Sequence, residues 1–137
     1  MSRTRAKAHY VWPKDRRVKM ARLEHVNVTV ADPDATAAML VKLFDWHVRW
    51  RGSAIHGGLT VHVGSDTDYV AVYTGPGNTE QTPAQNSYTQ RAGLNHLGIV
   101  VDDLDATEAR VKAMGYEPHS HADYEPGRRF YFHEENG

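Results

Sequence analysis

The sequence predicts an α+β fold built from two tandem copies of one β-α-β-β-β module. The chain has 137 residues, 40% of them hydrophobic, which is enough for a single compact domain with its own core. Shifting the sequence by 71 positions superimposes two of its segments without a gap. Identical residues then coincide at Leu23/Leu94, His25/His96, Val30/Val101, Asp32/Asp103, Asp34/Asp105, Ala35/Ala106, Thr36/Thr107 and Ala38/Ala109.

Each copy is predicted to begin with a strand that is followed by a helix. Residues 23–30 and 94–101 are short runs rich in β-branched side chains, which is the composition of strands. Asp32 and Asp103 then stand where a carboxylate caps a helix, and Gly115 is a stop signal for the second helix. The predicted helices span residues 33–44 and 104–114.

The other predicted strands lie between turn residues. They are residues 46–51, 59–64 and 68–74 in the first copy, and residues 116–120 and 128–133 in the second. We expect one domain over residues 21–137, with module one at 21–75, a linker at 76–92 and module two at 93–137. Asn136-Gly137 is a hairpin turn signal that no strand follows, so the final strand of module two is expected to be absent from this stretch.

Charge is divided unevenly along the chain, whose formal net charge is −1. Residues 1–20 hold seven basic side chains and one acidic one, which leaves nine basic and sixteen acidic side chains for the remainder. An acidic body lacks the basic stripe that nucleic acid requires, so we expect no nucleic-acid partner. The basic N-terminal extension is expected to be a disordered tail, a segment docked on a partner chain through Tyr10 and Trp12, or an addition ahead of a start at Met20.

The chain has no cysteine, and its first 20 residues have no apolar run of the length that a secretory signal needs. We therefore expect a cytoplasmic protein without disulfides, thiolate ligands or a cysteine nucleophile, and without a membrane partner. Gly75-Pro76-Gly77 lacks the features of a phosphate-binding loop and is predicted to be a turn.

Three features of the sequence carry a family resemblance. They are the paired first strands, the aspartate after each of them, and an aromatic run ahead of Glu-Asn-Gly. The segments are Leu23-Glu24-His25-Val26-Asn27-Val28, Leu94-Asn95-His96-Leu97-Gly98-Ile99 and Gly127-Arg128-Arg129-Phe130-Tyr131-Phe132. Together they resemble the vicinal oxygen chelate superfamily, which includes glyoxalase I, fosfomycin resistance proteins, extradiol dioxygenases, methylmalonyl-CoA epimerase and bleomycin resistance proteins. The resemblance implies a curved, open mixed sheet around a central cavity, and homodimers in which two chains complete each cavity.

Strand alternation places His25 and His96 on the face that a helix does not cover. In the first strand Val26, Val28 and Val30 point to the helix, and Leu97, Ile99 and Val101 are their predicted counterparts in the second copy. The resemblance implies that His25 and His96 bind a divalent metal, either Zn, Fe, Ni or Mn, together with a carboxylate from the last strand. Two imidazoles and one carboxylate leave coordination positions open for substrate.

The predicted metal site departs from the family pattern at two points. A four-ligand site would also use a residue near the end of the first copy, and that place falls on Ala71, which cannot bind metal. The carboxylate of the last strand would lie beyond Gly137, because Glu134 and Glu135 precede the turn.

Further residues are candidates for the substrate cavity. Asn27, Tyr69 and Tyr73 share the uncovered strand face, where they would line the cavity or pack on the sheet surface. Arg129 and Tyr131 would either hold an anionic or phenolic substrate or lie on ordinary surface. In the second strand the alternation predicts an aromatic core face at Trp46, Val48 and Trp50, opposite a solvated face at His47, Arg49 and Arg51.

Two functions of different classes follow from these features. The first is a metal-dependent enzyme, of the lyase, transferase or dioxygenase type, that acts on a small oxygenated substrate. The second is a metal-free protein that binds a small molecule or antibiotic, resembling bleomycin resistance proteins. The acidic body favours a cationic ligand and so the second function, whereas the two equivalent histidines favour the first.

Overall fold

A computed structural model describes residues 21–77 and 87–137 of the chain. In these ranges the protein is a mixed α+β structure with two helices. Its elements are β1 (His25–Thr29), α1 (Pro33–Phe44), β2 (His47–Ser53), a 3-10 turn (Ile55–Gly57), β3 (Leu59–Gly64), β4 (Tyr69–Thr74), α2 (Leu104–Ala113), β5 (His119–Tyr124) and β6 (Gly127–Tyr131). The predicted N-terminal extension, residues 1–20, and linker residues 78–86 lie outside the described residues.

The first half of the chain forms a four-stranded sheet in the order β1-β4-β3-β2. β1 runs parallel to β4, with His25 opposite Tyr69, and β3 runs antiparallel to both β4 and β2. The parallel pair requires a crossover, which α1 begins and β2 and β3 continue. The predicted β-α-β-β-β order is therefore found in this half. β5 and β6 form a separate antiparallel pair in the second half.

Both helices begin at the predicted aspartates. The Asp32 carboxylate accepts a hydrogen bond from the Ala35 amide at 3.1 Å, and the Asp103 carboxylate accepts one from the Ala106 amide at 2.9 Å. These bonds satisfy amides that have no partner within the helix. The predicted boundaries are correct for α1, and α2 ends one residue before the predicted end.

The hydrophobic core lies between α1 and the four-stranded sheet, and α2 adds Val111 to it. Leu43 and Val111 are both fully buried, so the two halves of the chain share one core. Aliphatic side chains of this size stabilise the fold by about 1.5–3 kcal/mol each when they are fully buried. The core residues are Val30, Ala37, Met39, Leu40, Leu43, Val61, Val63, Val70, Val72 and Val111.

A β-bulge in β2 makes the predicted core face of that strand wrong. The pairing with β3 shifts register between Val48 and Trp50, so the simple alternation of sides is lost there. Trp46 does pack against the core, but Val48 and Trp50 are each nearly half exposed. Arg51 is exposed, as predicted, and it donates two hydrogen bonds to Asp34 of α1 at 2.8 Å.

The predicted strand at residues 94–101 is also wrong, because residues 93–100 have neither helical structure nor strand pairing. Leu97, expected to be covered, is 38% exposed, and Val100 is 97% exposed. The counterpart strand β1 is held by β4. Among the described residues no strand occupies the equivalent place beside residues 94–100, so their backbone groups have no ladder to join.

Two strands of the second half differ in position from their predictions. β5 begins at His119 instead of residue 116, because Tyr116 still belongs to the end of α2, where its amide donates to the Val111 carbonyl at 3.2 Å. β6 ends at Tyr131, two residues before the predicted end. Within the described ranges, neither helix is long and apolar enough to cross a membrane.

Candidate functional site

His25 lies on β1 with its imidazole on the sheet face opposite α1. The ring stacks on Tyr69 of β4 with centroids 5.0 Å apart and planes 12° apart. Its Nδ1 lies 3.3 Å from a carboxylate oxygen of Glu24, the residue before it in the chain. The side chain is 43% exposed, so the ring is fixed in orientation and still accessible from outside.

Four rings form a continuous row across this face of the sheet. We call Trp50, His62, Tyr69 and His25 the ring row. Trp50 and His62 are partners in the β2–β3 register, and their ring centroids are 5.1 Å apart. His62 stacks on Tyr69 at 4.5 Å, and Tyr69 stacks on His25. The row exists because β2, β3, β4 and β1 each place one ring on the side that the core does not use.

Two charged residues, Arg49 and Glu24, lie beside Tyr69 in the ring row. The Arg49 guanidinium carbon lies 4.7 Å from the centre of the Tyr69 ring, which is a cation–π contact. Partial burial and the neighbouring Glu24 carboxylate raise the pKa of the Tyr69 hydroxyl, which therefore stays protonated at neutral pH. Desolvation opposes ionisation of Glu24, but the Tyr69 hydroxyl and the His25 imidazole outweigh it and lower the pKa of Glu24.

His62 is a neutral imidazole on the same face. Desolvation between the neighbouring rings lowers its pKa, and the nearby positive groups His25 and Arg49 lower it further. The described part of the chain provides no hydrogen-bond partner for either of its ring nitrogens. A neutral imidazole has one N–H donor and one acceptor nitrogen, so His62 presents both to this face.

The remaining predicted cavity residues of the first half have different surroundings. Asn27 is exposed on β1, opposite Ala71, which is only 2% exposed beneath its neighbours. The Tyr73 hydroxyl donates to the Ile55 carbonyl at 3.0 Å and so anchors the 3-10 turn to β4. Of these two side chains, Asn27 is the one available to a ligand.

His96 repeats the local arrangement of His25. Its Nδ1 lies 2.6 Å from the amide oxygen of Asn95, again the residue before it in the chain. The ring is exposed and meets Tyr131 of β6 edge to face, with centroids 5.4 Å apart. Each histidine of the repeat therefore has an aromatic neighbour and an acceptor at Nδ1.

A second group of rings surrounds Tyr131. His119 stacks on Tyr131 at 6.3 Å and on His133 at 5.0 Å. The Nε2 atom of His119 is buried, and no described residue hydrogen-bonds to it. The Arg129 guanidinium lowers the pKa of Tyr131, and it also donates to the carbonyls of Tyr124 and Glu125 at 2.9 and 2.6 Å. Arg129 therefore braces the β5–β6 turn.

The structure places His25 with Tyr69 and His96 with Tyr131, in separate halves of the molecule. Across residues 21–77 and 87–137, no three His, Cys, Asp or Glu side chains are close enough together to hold one metal ion. The donor types fit a divalent metal, but the described residues of one chain do not complete a three-ligand site.

Sequence reasoning assigned no role to His62, and it expected Trp50 in the core and Arg49 in solvent. The alternation of Val61, His62 and Val63 was a sufficient signal for His62, since two buried valines place the histidine on the opposite face. No comparable signal existed for Trp50 and Arg49, because the bulge in β2 changes their side of the sheet.

Residues 22–137 match the family described as the Glyoxalase/Bleomycin resistance protein/Dioxygenase superfamily. The chain belongs to this superfamily, as its sequence resemblance indicated. No curated protein matches the chain closely enough to count as a relative.

Solved structures with the same fold include a glyoxylase/bleomycin resistance protein/dioxygenase domain from Frankia sp. EAN1pec. It has a TM-score of 0.69 and 21% identity, over 85% of this chain and 91% of that chain. The fosfomycin resistance protein FosX from Mesorhizobium loti has a TM-score of 0.60 and 20% identity, over 85% and 86% of the two chains.

A mutant of FosX from Listeria monocytogenes, complexed with Mn(II) and 1S,2S-dihydroxypropylphosphonic acid, also has a fold similar to that of this chain. Its TM-score is 0.58 at 20% identity, over 83% of this chain and 84% of that chain. At these identities the likeness shows the fold.

Proposed function

We propose that the protein is a divalent-metal-dependent enzyme that acts on a small oxygenated substrate, with His25 and His96 as metal ligands. One observation carries this proposal. At both equivalent positions of the repeat, the preceding residue provides an acceptor for Nδ1 and leaves Nε2 without a partner among the described residues. Metal-binding histidines have this arrangement, because the bond at one ring nitrogen fixes the tautomer and directs the lone pair of the other.

The metal would be Zn, Fe, Ni or Mn, all of which accept imidazole. When bound, it would polarise a substrate oxygen or activate water or oxygen. The Mn(II) in the FosX complex supports Mn²⁺ as the first ion to test.

A complete site needs donors beyond those that one chain's described residues assemble. We propose that the two halves of the chain act as tandem modules around a cavity, and that a homodimer brings His25 of one copy toward the partner's His96. The third donor would be a carboxylate from outside the described residues.

Residues on the sheet face opposite α1 would supply the substrate contacts. Neutral His62 offers one hydrogen-bond donor and one acceptor, and Asn27 offers an amide. Arg49 adds positive charge beside Tyr69, which suits an anionic oxygen of the substrate. The dihydroxypropylphosphonic acid of the FosX complex is a suitable first probe, because it combines vicinal hydroxyls with an anion.

Elemental analysis of the full chain after loading with Mn²⁺ or Zn²⁺ tests the proposal. We expect near-stoichiometric metal in the wild type and loss of it in both His25→Ala and His96→Ala. His47→Ala is the matched control, because His47 is an exposed histidine on a strand, outside the ring row. A folded wild type that takes up no metal, or retention of metal in both variants, would contradict the proposal.

A metal-free ligand-binding function is the second candidate, because the ring row offers a broad aromatic surface. Isothermal titration of metal-free protein with a cationic aromatic antibiotic distinguishes the two functions. Binding that is lost in Trp50→Ala and unchanged in His96→Ala would favour the second function.

A further inference from the structure

We propose that Arg49 binds the anionic group of the substrate, and that this substrate is a flat, unsaturated carboxylate whose body lies against Trp50. The proposal rests on the proposed function, because it takes the sheet face opposite α1 as the place where substrate binds. It adds the charge and the shape of that substrate. The contacts involved do not include the metal, so binding can be measured in the metal-free protein.

Arg49 is a permanent cation that forms no ion pair within the described residues. Its Nη1 atom is buried, and no described residue accepts a hydrogen bond from it. The other arginine of β2 differs, because Arg51 donates two hydrogen bonds to the Asp34 carboxylate. A buried donor without an acceptor destabilises a protein, and the penalty is larger for a charged group. A bound anion would remove that penalty.

The side chain of Arg49 crosses β3 to reach β4. Its guanidinium carbon is 4.7 Å from the centre of the Tyr69 ring. The β3 residue opposite Tyr69 is Gly64, which has no side chain to occupy the space between β2 and β4. The cation–π contact with Tyr69 holds the guanidinium in place. Its planar set of N–H donors matches the two oxygens of a carboxylate.

The charges around Arg49 favour a ligand with a single negative charge. Arg49 acts electrostatically on Glu24, His62 and Tyr69, and no other described arginine or lysine does so. The Glu24 carboxylate already provides one negative charge beside Tyr69. A dianionic phosphonate would be repelled by Glu24 more strongly than a carboxylate, without a second permanent cation to compensate. The substrate anion is therefore assigned as a carboxylate.

The β-bulge brings Trp50 to the same face as Arg49. Consecutive residues of a regular strand point to opposite faces, but here Arg49 contacts Tyr69 and Trp50 contacts His62, both in the ring row. One ligand can therefore contact Arg49 and Trp50 together.

Trp50 provides a flat apolar surface beside the charge. Its six-membered ring lies against Gly52, where an added Cβ would be only 2.6 Å from the indole Cζ2 atom. The side chain is nearly half exposed. A flat, unsaturated group on this surface gains ring stacking as well as apolar burial, whereas a saturated ring gains only the burial.

Titration calorimetry of the full, metal-free chain with benzoate tests the proposal. Benzoate should bind, and benzamide, which has nearly the same shape without the charge, should bind about tenfold more weakly. Phenylphosphonate, which ionises to a dianion, should also bind more weakly than benzoate. So should cyclohexanecarboxylate, which has the charge without the flat ring.

Two variants separate the roles of charge and shape. Arg49→Met keeps a long side chain without the charge and should weaken benzoate binding about tenfold. Arg51→Met is the matched control, because it removes the other arginine of β2, which pairs with Asp34, and it should leave benzoate binding unchanged. Trp50→Leu should abolish the preference for benzoate over cyclohexanecarboxylate and retain the preference for benzoate over benzamide.

Nitrogen-15 NMR of arginine-labelled wild type gives a measurement that depends on no variant being folded. Benzoate should shift the guanidinium signals of Arg49 and leave those of Arg51 unchanged. Equal affinity for benzoate and benzamide, unchanged benzoate affinity in folded Arg49→Met, or unshifted Arg49 signals would overturn the proposal. Tighter binding of benzamidinium than of benzoate would also overturn it, in favour of a cationic ligand.

Metal uptake separates this proposal from the proposed function. A protein that takes up metal at His25 and His96 but does not bind benzoate would overturn the carboxylate site alone. A protein that binds benzoate through Arg49 but takes up no metal would support the carboxylate site and contradict the metal-dependent function.

Discussion

The nitrogen Nδ1 of each repeated histidine is held by the residue before it, Glu24 for His25 and Asn95 for His96. The two acceptors differ in charge. A negatively charged acceptor supports a metal-bound imidazole more strongly than a neutral amide does, so His25 should be the stronger metal ligand. Glu24→Gln should therefore lower metal affinity, by about tenfold by analogy with other outer-shell substitutions.

Titration calorimetry with Zn²⁺ measures this effect. Glu117→Gln is a suitable control, since it removes one carboxylate elsewhere in the chain. Equal Zn²⁺ affinity of the Glu24→Gln variant and the wild type would argue against a role for Glu24 in supporting the ligand.

His62 should titrate below the ordinary pKa of histidine, because neighbouring rings desolvate it and His25 and Arg49 lie nearby. Its folded pKa is lower than its unfolded pKa, so the unfolded chain binds the proton more readily. The contribution of His62 to the free energy of unfolding is therefore present above the unfolded pKa and is lost as pH falls through the folded value.

NMR spectra of the histidine Cε1–H groups across a pH series measure the His62 midpoint directly. Trp50→Ala opens one side of the imidazole to water and should raise that midpoint. A wild-type midpoint at or above that of histidine in an unstructured peptide would disprove the desolvation argument.

At the scale of single residues, the alternation of side chains along each strand was sufficient to place four residues on one sheet face. They are His25, Asn27, Tyr69 and Tyr73. It could not show that the Tyr73 hydroxyl donates a hydrogen bond to the Ile55 carbonyl, because that contact depends on where the 3-10 turn folds. Nor could it show that Arg129 donates hydrogen bonds to carbonyls of the β5–β6 turn.

At the scale of elements, the aspartate caps should contribute measurably to both helices. Asp32→Ala and Asp103→Ala each remove a bond to a helix amide, at 3.1 and 2.9 Å respectively. Each should lower the free energy of unfolding by about 1 kcal/mol in urea denaturation. Asp32→Ser and Asp103→Ser retain a capping oxygen and should recover most of this stability. If serine and alanine were equally destabilising, the caps would not be the cause.

The β3–β4 connection should tolerate no side chain at Gly64. A Cβ there would lie 2.3 Å from the Asp68 carbonyl oxygen and 2.5 Å from the Tyr69 Cα, both of which are backbone atoms. Gly64→Ala should therefore lower the free energy of unfolding by about 1–3 kcal/mol. Gly77→Ala is the control, since a Cβ added at Gly77 would meet no atom of the described residues within 4 Å. Equal stability of the two variants would contradict the close approach at Gly64.

Elements were predicted well where local signals and pairing partners agreed. α1 and β3 have the predicted bounds because capping and alternation are local properties. The predicted faces of β2 were wrong, because the extra residue at the bulge exchanges the two faces of the strand beyond it. No local feature of the sequence indicates where the bulge lies.

At the scale of the whole molecule, both halves of the chain should unfold together. Leu43 of α1 and Val111 of α2 are each 0% exposed within one core. Leu43→Ala should cost about 2–5 kcal/mol, and Val111→Ala about 2 kcal/mol. Each should move the whole transition, so that tryptophan fluorescence and far-UV circular dichroism give coincident urea curves. Separate transitions in Val111→Ala would contradict a shared core.

The segment at residues 94–100, which joins no strand among the described residues, shows why global arrangement was harder to predict than local structure. Its composition is that of a strand, but a ladder also needs a neighbour, and strand propensity reflects contacts with that neighbour. The sequence repeat predicted equivalent residues correctly at the helix caps, where the contacts are local. The matching contacts at Nδ1 of His25 and His96 were not predicted.

Nitrogen-15 NMR of histidine-labelled protein, recorded before and after saturation with Zn²⁺, tests whether His25 and His96 bind metal as proposed. We predict that Nε2 of both histidines acquires the shift of a metal-bound nitrogen while Nδ1 of each stays protonated. Coordination through Nδ1, or spectra in which neither histidine responds to Zn²⁺, would contradict it.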